Sequence, residues 1–363
     1  MILVYACVLA GACLAQEQKS LKEIFKEKFL IGAALNDAQC SGHDARGAAL
    51  VVSQFNTITP ENVLKWEHVH PQPDVYAFDA SDRYVDFGGK NGLFVVGHTL
   101  VWHSQTPNWV FENAEGKPLD RKSLLKRMRD HIQTVMGRYK GRIKGWDVVN
   151  EALNEDGSLR QSPWLKIIGE DYIARAFQFA HKADPRAKLY YNDYSLENVP
   201  KRQGAIALIK KLQSQGIPIA GVGLQGHYLM EWPGPGLLDS TIIAFKKLGV
   251  KVMMTELDID ILPHPTREQS AEISRNFEYQ EKLNPYKNGL PDSMQNALAR
   301  RYAELFAVFL HDGVSRVTFW GVCDGDSWLN GYPIHGRTSH PLLFDRAWKP
   351  KPAFDAVIQT AHH

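Results

Sequence analysis

Two glutamates that follow apolar, β-rich segments are the first candidates for chemistry. Glu151 ends the segment "GWDVVNE", and Glu256 ends "VKVMMTE". A carboxylate placed after a buried strand loses hydration, which is costly unless the site uses it. Two carboxylates that face each other can cleave a glycosidic bond, one as the acid and the other as the nucleophile or base. A single glutamate is usually a solvated surface charge, but the buried context of both residues favours a functional role.

His227 and Asp258 are the natural auxiliaries of Glu256. A histidine can hydrogen-bond a neighbouring carboxylate, and a second carboxylate can fix the tautomer of that histidine. His103 is an open case, because a satisfied core histidine explains it equally well.

The sequence contains no convincing metal or cofactor motif. His98 and His103 do not have the i, i+4 spacing of helical metal ligands, and no Cys or Asp cluster accompanies them. The segment "GVGLQG", from Gly221 to Gly226, matches a dinucleotide-binding pattern, but "HYLMEWPGPG" follows where that motif requires a helix. We therefore expect neither a metal nor a cofactor.

Tryptophans divide into two groups by their position in the sequence. We interpret Trp146 and Trp164 as core residues. Trp102, Trp320 and Trp328 come after strand-like segments, where their large flat rings can stack on the faces of sugars.

Eight short β-forming segments must position these side chains. The segments begin at Phe29, Phe55, Phe94, Gly145, Lys188, Ile219, Val250 and Arg316. Stretches with helical spacing lie between them. In "QGAIALIKKLQSQG", Ile206, Ile209 and Leu212 recur at three-residue steps, and Gly216 is a natural C-terminal stop. Strands that alternate with helices in one domain predict an α/β fold, a (β/α)8 TIM barrel, with a doubly wound open sheet as the alternative.

In a TIM barrel, functional residues collect at the C-terminal ends of the strands. Polar or aromatic residues mark nearly every predicted strand end. They are His98, Trp102, His103 and Gln105; Asn150 and Glu151; Asn192, Asp193 and Tyr194; Gln225 and His227; Glu256 and Asp258; and Trp320 and Trp328. Scattered solvated side chains would not follow the strands in this way.

Composition and charge limit the class of partner. The chain has 363 residues, 44% hydrophobic and 23% charged, with a net charge of +2. It contains no block of like charges, so nucleic acid and anionic membranes are not expected partners. A neutral polymer or a small molecule fits better, and we expect a monomer.

The first fifteen residues, "MILVYACVLAGACLA", carry no charge. This run is too short to span a bilayer, which takes about 20 apolar residues. We interpret residues 1–15 as a secretory signal, residues 16–363 as the catalytic domain, and the product as secreted; lipid attachment at Cys13 is the less favoured alternative. Export would leave Cys40 and Cys323, which we expect to be buried, reduced thiols.

Several segments together resemble one known family. They are "ITPENVLKW", "GHTLVWHSQTPNWV", "WDVVNEAL", "YNDY", "GLQGHY", "TELDI" and "FWGVCDGDSWLNG". In this order they are similar to the family-ten glycoside hydrolases, the endo-β-1,4-xylanases. The resemblance covers nearly the whole chain, from about Phe29 to the last predicted helix. It implies a (β/α)8 barrel, retaining hydrolysis of xylan and xylo-oligosaccharides, and no cofactor.

The resemblance also implies roles for individual residues. Glu151 would be the acid/base, Glu256 the nucleophile, and Asn150 a hydrogen-bond partner of the sugar 2-hydroxyl. Residues that would bind the glycone sugars are Glu61, Asn62, Lys65, His98, Trp102, Gln105, Gln225, Trp320 and Trp328. Tyr194 would lie on the leaving-group side. His227, with Asp258, would support Glu256 and also line the substrate site.

Two other functions remain open from the sequence. An endoglucanase or mannanase on the same barrel would share the paired glutamates, but it needs room for a C6 hydroxymethyl group that Trp320 and Trp328 would restrict. A non-catalytic glycan-binding barrel would normally have lost one carboxylate, whereas both are present here.

Overall fold

A ring of parallel strands forms the centre of the protein. The computed structural model describes residues 20–265, 272 and 274–362. The strands are β1 Leu30–Leu35, β2 Thr57–Pro60, β3 Phe94–Val101, β4 Gly145–Asn150, β5 Lys188–Asp193, β6 Gly221–Leu224, β7 His227–Leu229, β8 Lys251–Asp260 and β9 Arg316–Phe319.

The order of strand pairing closes the sheet. Each strand from β1 to β6 pairs in parallel with the next, β6 pairs with β8, and β8 pairs with β9. β9 then returns to β1, with Arg316 opposite Leu30. The predicted TIM barrel is therefore confirmed, and the alternative of an open doubly wound sheet is wrong because such a sheet would leave two strand edges unpaired.

The short strand β7 lies outside this ring and was not separated from β6 in the sequence. Gly226, with a φ of 83°, interrupts the segment between them. β7 then pairs with the far half of β8, where His227 lies opposite Asp258. This extension of the sheet carries two of the predicted site residues.

Helices lie between the strands along the chain and pack against them. They are α1 Leu21–Ile24, α2 Asp37–Ser41, α3 Ala45–Gln54, α4 Trp66–Val69, α5 Asp79–Lys90, α6 Arg121–Arg138, α7 Pro163–Ile168, α8 Tyr172–Ala183, α9 Val199–Ser214, α10 Pro235–Lys246, α11 Asp292–Asp312 and α12 Pro352–Thr360. Single 3-10 turns occur at Asn108–Val110, Glu281–Leu283 and Trp328–Asn330. The predicted end of α9 is confirmed, since Gly216 follows the helix with a φ of 68°.

The barrel core combines small and large side chains on neighbouring strands. A Cβ atom added to Gly97 on β3 would lie 2.1 Å from the ring of Trp146 on β4. Glycine at this position therefore leaves the space that the indole fills. Trp146 and Trp164 are both 1% exposed, which confirms their interpretation as core residues.

Both cysteines of the described chain are free thiols. Burial raises the pKa of Cys40 and that of Cys323 to about 12, so both are protonated at neutral pH. The structure agrees with the prediction of reduced thiols, and Cys323 is buried as expected, but Cys40 is only half-buried. The predicted signal segment, residues 1–15, lies outside the described residues. Among the helices that the structure describes, none has the length and apolar character needed to cross a bilayer.

Candidate active site

The predicted site residues lie on or just after successive barrel strands. Glu61, Asn62 and Lys65 follow β2; His98 lies in β3, with Trp102 and Gln105 after it; Asn150 ends β4 and Glu151 follows; Tyr194 follows β5; Gln225 follows β6; His227 lies in β7; Glu256 and Asp258 lie in β8; and Trp320 and Trp328 follow β9. In a closed parallel barrel these positions share one end, where the strands terminate.

Gln225 forms hydrogen bonds with both candidate catalytic residues, Glu151 and Glu256. The side-chain Nε2 of Gln225 donates to Oε1 of Glu151 over 2.8 Å, and its backbone carbonyl accepts from the Glu256 N–H over 2.7 Å. Glu151 is 7% exposed and Glu256 is 5% exposed. Glu256 does not end its strand as predicted, because pairing with β7 extends β8 to Asp260.

Both side-chain oxygens of Glu151 accept hydrogen bonds. Trp102 Nε1 donates to Oε2 over 2.9 Å, while Gln225 occupies Oε1. The backbone of Glu151 has a φ of 54°, in the left-handed region that non-glycine residues seldom adopt. Such backbone conformations are typical of functional positions, since the surrounding structure must hold them in place.

Glu256 is held by an amide and by an imidazole. Asn192 Nδ2 donates to Oε1 of Glu256 over 2.7 Å, and Nε2 of His227 lies 3.2 Å from Oε2. The other ring nitrogen of His227, Nδ1, lies 3.0 Å from Oδ1 of Asp258. Trp328 Nε1 donates to the second oxygen of Asp258 over 2.8 Å. As the sequence predicted, His227 is in contact with Glu256, and Asp258 is in contact with His227.

The charges of Asp258, His227 and Glu256 stabilise one another. Burial alone would lower the pKa of His227, but the carboxylates of Asp258 and Glu256 outweigh it and raise that pKa to about 10. Burial alone would raise the pKa of Glu256, but the hydrogen bonds from His227 and Asn192 and the charges of His98 and His227 together outweigh it, and the pKa lies below its ordinary value. At neutral pH, Glu256 is therefore an anion that faces an imidazolium.

Asn150 and Asn192 connect the surroundings of the two carboxylates. Asn192 Nδ2 lies 2.9 Å from Oδ1 of Asn150, and Gln225 Nε2 lies 3.4 Å from the same atom. With the Asn150 amide turned over, its oxygen instead accepts from Trp102 Nε1 over 3.2 Å, and its nitrogen donates to the Asn192 carbonyl. In both orientations, Asn150 lies between the partners of Glu151 and those of Glu256.

Lys65 anchors a second polar group beside the carboxylates. Its Nζ donates to Asn62 Oδ1 over 3.0 Å and to Gln105 Oε1 over 2.8 Å, and it lies 5.1 Å from the centroid of the Trp102 ring. Burial lowers the pKa of Lys65, and the carboxylates of Glu256, Glu61 and Glu151 oppose that shift. Lys65 thus adds positive potential to a site rich in carboxylates. It also holds the side chains of Asn62 and Gln105, which can hydrogen-bond the hydroxyl groups of a ligand.

Aromatic rings and His98 cover the other side of the site. His98 Nδ1 lies 3.0 Å from Oδ2 of buried Asp147, and its ring meets Trp320 edge-on with centroids 5.5 Å apart. Trp328 stacks on Tyr332 with centroids 4.7 Å apart, and its ring also lies 4.9 Å from that of His227. These rings form an apolar wall next to Glu256.

A family model decides the classification. The model of glycosyl hydrolase family 10 matches residues 20–360. The chain belongs to glycosyl hydrolase family 10. The predicted family is therefore confirmed, and the carboxylate pair lies in a barrel of a family that hydrolyses glycosidic bonds with retention of configuration.

Relatives of this family 10 chain are similar over nearly its whole length. Endo-1,4-beta-xylanase A from Xylanibacter ruminicola is 45% identical, with 97% of this chain and 96% of that protein covered. A solved GH10 endoxylanase from a sugarcane soil metagenome has a TM-score of 0.91 at 46% identity, covering 94% of this chain and 99% of that one. An intracellular xylanase from Thermoanaerobacterium saccharolyticum, solved with xylotriose, has a TM-score of 0.81 at 35% identity, covering 94% and 99%.

In the family 10 chain, two basic side chains contact Tyr194. Arg160 donates from Nη2 to the Tyr194 hydroxyl over 3.2 Å and from Nε to the backbone carbonyl of Glu151 over 3.0 Å. Lys201 Nζ lies 3.2 Å from the centroid of the Tyr194 ring. Tyr194 is therefore linked to the backbone of Glu151 through Arg160.

Sequence reasoning missed three residues that act in this family 10 site. Asn192 was recognised only as a strand end, although it contacts Glu256 and Asn150. Asp147 and Arg160 were not singled out at all. Asp147 precedes two valines inside an apolar run, and a charged residue buried in a strand is the signal that would have identified it. Nothing in the local sequence marks Arg160.

Proposed function

We propose that this protein is a retaining endo-1,4-β-xylanase that cleaves internal β-1,4-xylosidic bonds of xylan. The observation that carries the proposal is the pair of buried carboxylates, Glu151 and Glu256, held by Trp102, Gln225, Asn192 and His227. Family 10 membership and the relatives named xylanase support the choice of substrate. No step of the reaction calls for a metal or a cofactor.

In the first step, an oxygen of Glu256 attacks the anomeric carbon of the sugar. The bond from that carbon to the leaving oxygen breaks, and Glu151 transfers its proton to that oxygen. Glu256 suits this role because His227 keeps it anionic. Asn150 and Asn192 lie beside the attacking carboxylate, where Asn150 would hydrogen-bond the sugar 2-hydroxyl.

In the second step, Glu151 takes a proton from a water molecule as that water attacks the same carbon. The bond between the sugar and Glu256 breaks, so the carboxylate is regenerated and the product keeps its β-configuration. At the end of this step Glu151 is protonated again and can act as the acid in the next cycle. The two displacements therefore balance without any further reactant.

The remaining predicted residues would bind the sugar chain. Glu61, Asn62, Lys65, His98, Trp102, Gln105, Gln225, Trp320 and Trp328 would hold the glycone part. Tyr194 would contact the leaving part, since Arg160 ties it to the Glu151 backbone. Trp320 and Trp328 would leave little room for the C6 hydroxymethyl group of glucose or mannose, which favours xylan over cellulose and mannan.

We also propose that the protein is secreted as a monomer after cleavage near Ala15. The support is the uncharged, apolar segment of residues 1–15. The relative from Thermoanaerobacterium saccharolyticum is called intracellular, so family membership alone does not fix the location. N-terminal sequencing of protein recovered from the medium would test cleavage, and sedimentation would test the oligomeric state.

The substrate is tested by release of reducing sugars from xylan, cellulose and mannan at equal concentrations. We expect xylan to be the preferred substrate, with oligosaccharides as early products, because an endo-acting enzyme cuts inside the chain. The variant Glu256→Ala should be inactive on all three polymers. A parent protein that prefers cellulose or mannan, or that releases only single xylose units, would contradict the proposal.

A further inference from the structure

Helices α10 and α11 bring three potential metal ligands together outside the active site. Asp239 lies on α10, and His311 and Asp312 are the last two residues of α11. One ligand atom from each residue lies within 4.8 Å of the other two. Among the residues that the structure describes, this is the one group of three or more His, Cys, Asp or Glu side chains with such spacing.

Asp312 is the member of this cluster with a buried oxygen atom that lacks a hydrogen bond. Its side chain is 5% exposed, and its Oδ2 is buried without a hydrogen-bond partner in the structure. The Asp239 carboxyl group is a hydrogen-bond neighbour of the Asp312 side chain, but Oδ2 of Asp312 stays without a partner. A buried carboxylate is unfavourable unless it is paired, hydrogen-bonded or bound to a metal ion.

The position of Asp312 in its helix increases the negative potential. Asp312 is the final residue of α11, a helix of 21 residues, and the C-terminal end of a helix carries about half a negative charge. Lys246 donates to the backbone carbonyl of Asp312 and therefore satisfies one of the helix-end oxygens. The Oδ2 atom of the carboxylate gains no hydrogen bond from it. A cation between Asp239 and Asp312 would relieve the repulsion between the two side chains and offset the helix end.

We propose that Asp239, His311 and Asp312 bind a zinc ion that joins α10 to α11. One imidazole with two carboxylates suits zinc, whereas calcium and magnesium prefer oxygen ligands alone. Three protein ligands leave a fourth position for water.

A groove lined by Pro235, Asp239, Glu304 and His311 opens onto the cluster and gives the ion a path from solvent. Because the ligands come from two helices, the folded state binds zinc more tightly than the unfolded chain does.

The test uses the full protein after treatment with a chelator. Calorimetric titration with zinc chloride should show one ion bound per chain at the site. With zinc about 100-fold above its Kd, the melting temperature should rise by about 4 °C, and magnesium at the same concentration should have no effect.

Asp239→Asn is the decisive variant. It should lower zinc affinity at least tenfold and remove the zinc-dependent rise in melting temperature. Without zinc, the same variant should melt at or above the temperature of the parent, since it removes one of two facing charges. Its hydrolysis of xylan should not change. His311→Gln, at an exposed position, gives a second variant with the same loss of binding.

His181→Ala is the matched control, because His181 is exposed on α8 and far from the cluster in the chain. It should bind zinc as the parent does. An absent zinc response in the parent would overturn the proposal. An equal response in the parent and in Asp239→Asn would overturn it as well, because the ion would then bind elsewhere, such as at His227 and the active-site carboxylates.

Discussion

The indole N–H of Trp102 donates a hydrogen bond of 2.9 Å to Oε2 of Glu151. Trp102→Phe keeps the aromatic ring and removes this bond. An intramolecular hydrogen bond contributes about 0.5–1.5 kcal/mol, so we expect kcat/KM on xylan to fall about 2- to 10-fold. Steady-state kinetics would measure the change. Trp109→Phe removes an indole bond to the Pro71 carbonyl instead and should leave kcat/KM nearly unchanged. Equal losses in both variants would argue against a role for the bond to Glu151.

Replacing Glu151 should separate the two steps of the reaction. Glu151→Ala should still react with aryl xylosides whose leaving groups need no proton, and the glycosyl-enzyme should then accumulate because the base is missing. Added azide should restore turnover and yield a β-glycosyl azide. Mass spectrometry of the protein and NMR of the product would detect these species.

Glu256→Ala is the complementary case. Without the nucleophile, the first step cannot take place, and activity should be lost on activated and natural substrates alike. Azide that enters from the vacated side would give an α-product. A β-azide formed by Glu256→Ala would show that the roles of the two glutamates are reversed.

The raised pKa of His227 predicts how stability changes with pH. With a pKa of about 10 in the folded state, His227 keeps its proton where an unfolded chain, with a pKa of about 6.5, has lost it. Its contribution is therefore complete below about pH 6.5 and is lost as pH rises towards 10, by up to about 1.4 kcal/mol per pH unit. Urea unfolding at several pH values should show this decline in the parent and a weaker one in His227→Gln. Parallel curves would disprove the linkage.

A buried pair of histidines predicts sensitivity to acid. His70 and His131 face each other with Nδ1 atoms 3.1 Å apart, and His131 stacks on Trp66 with centroids 3.6 Å apart. Burial lowers the pKa of His70 to about 4 and holds the pKa of His131 well below its ordinary value. Because the unfolded chain takes up protons first, stability is complete above about pH 6.5 and falls as the pH drops below it.

The variant His131→Phe keeps the stacked ring and removes one of these titrating groups. At pH 7 it should lose about 1–3 kcal/mol of stability, since His70 is left without its partner. Between pH 7 and pH 5, however, its stability should fall less than that of the parent. Denaturant unfolding at both values measures the difference, and exposed His181→Phe serves as the control. A decline as steep as that of the parent would refute the assignment.

The barrel and the burial of the two glutamates could be predicted from local sequence because both depend on short-range patterns. Apolar, β-rich segments specify buried strands, and a glutamate at the end of such a segment is conspicuous. Glu151 was correctly placed for this reason. Glu256 was assigned to a strand end because the sequence gives no sign that β7 pairs with β8 beyond it.

The hydrogen bonds between strands were not predictable in the same way. Asn192 reaches Glu256 only because β5 and β8 both border β6 in the ring, and their separation along the chain hides that proximity. The same limit applies to Asp239 and Asp312, which lie on two helices with a strand and a long segment between them. Sequence spacing reveals metal ligands that are close in the chain, whereas Asp239 is far from His311 and Asp312 in sequence.

The pairing of β9 with β1 also determines when the chain can fold. β1 ends at Leu35, whereas its neighbour β9 does not begin until Arg316. The ring therefore stays open, with β1 and β8 each lacking a neighbour, until the ribosome has made nearly the whole protein. Contacts between such distant segments slow folding and expose strand edges for longer. Until β9 is synthesised, the unpaired edges of β1 and β8 are therefore the parts of the barrel most open to pairing with another chain.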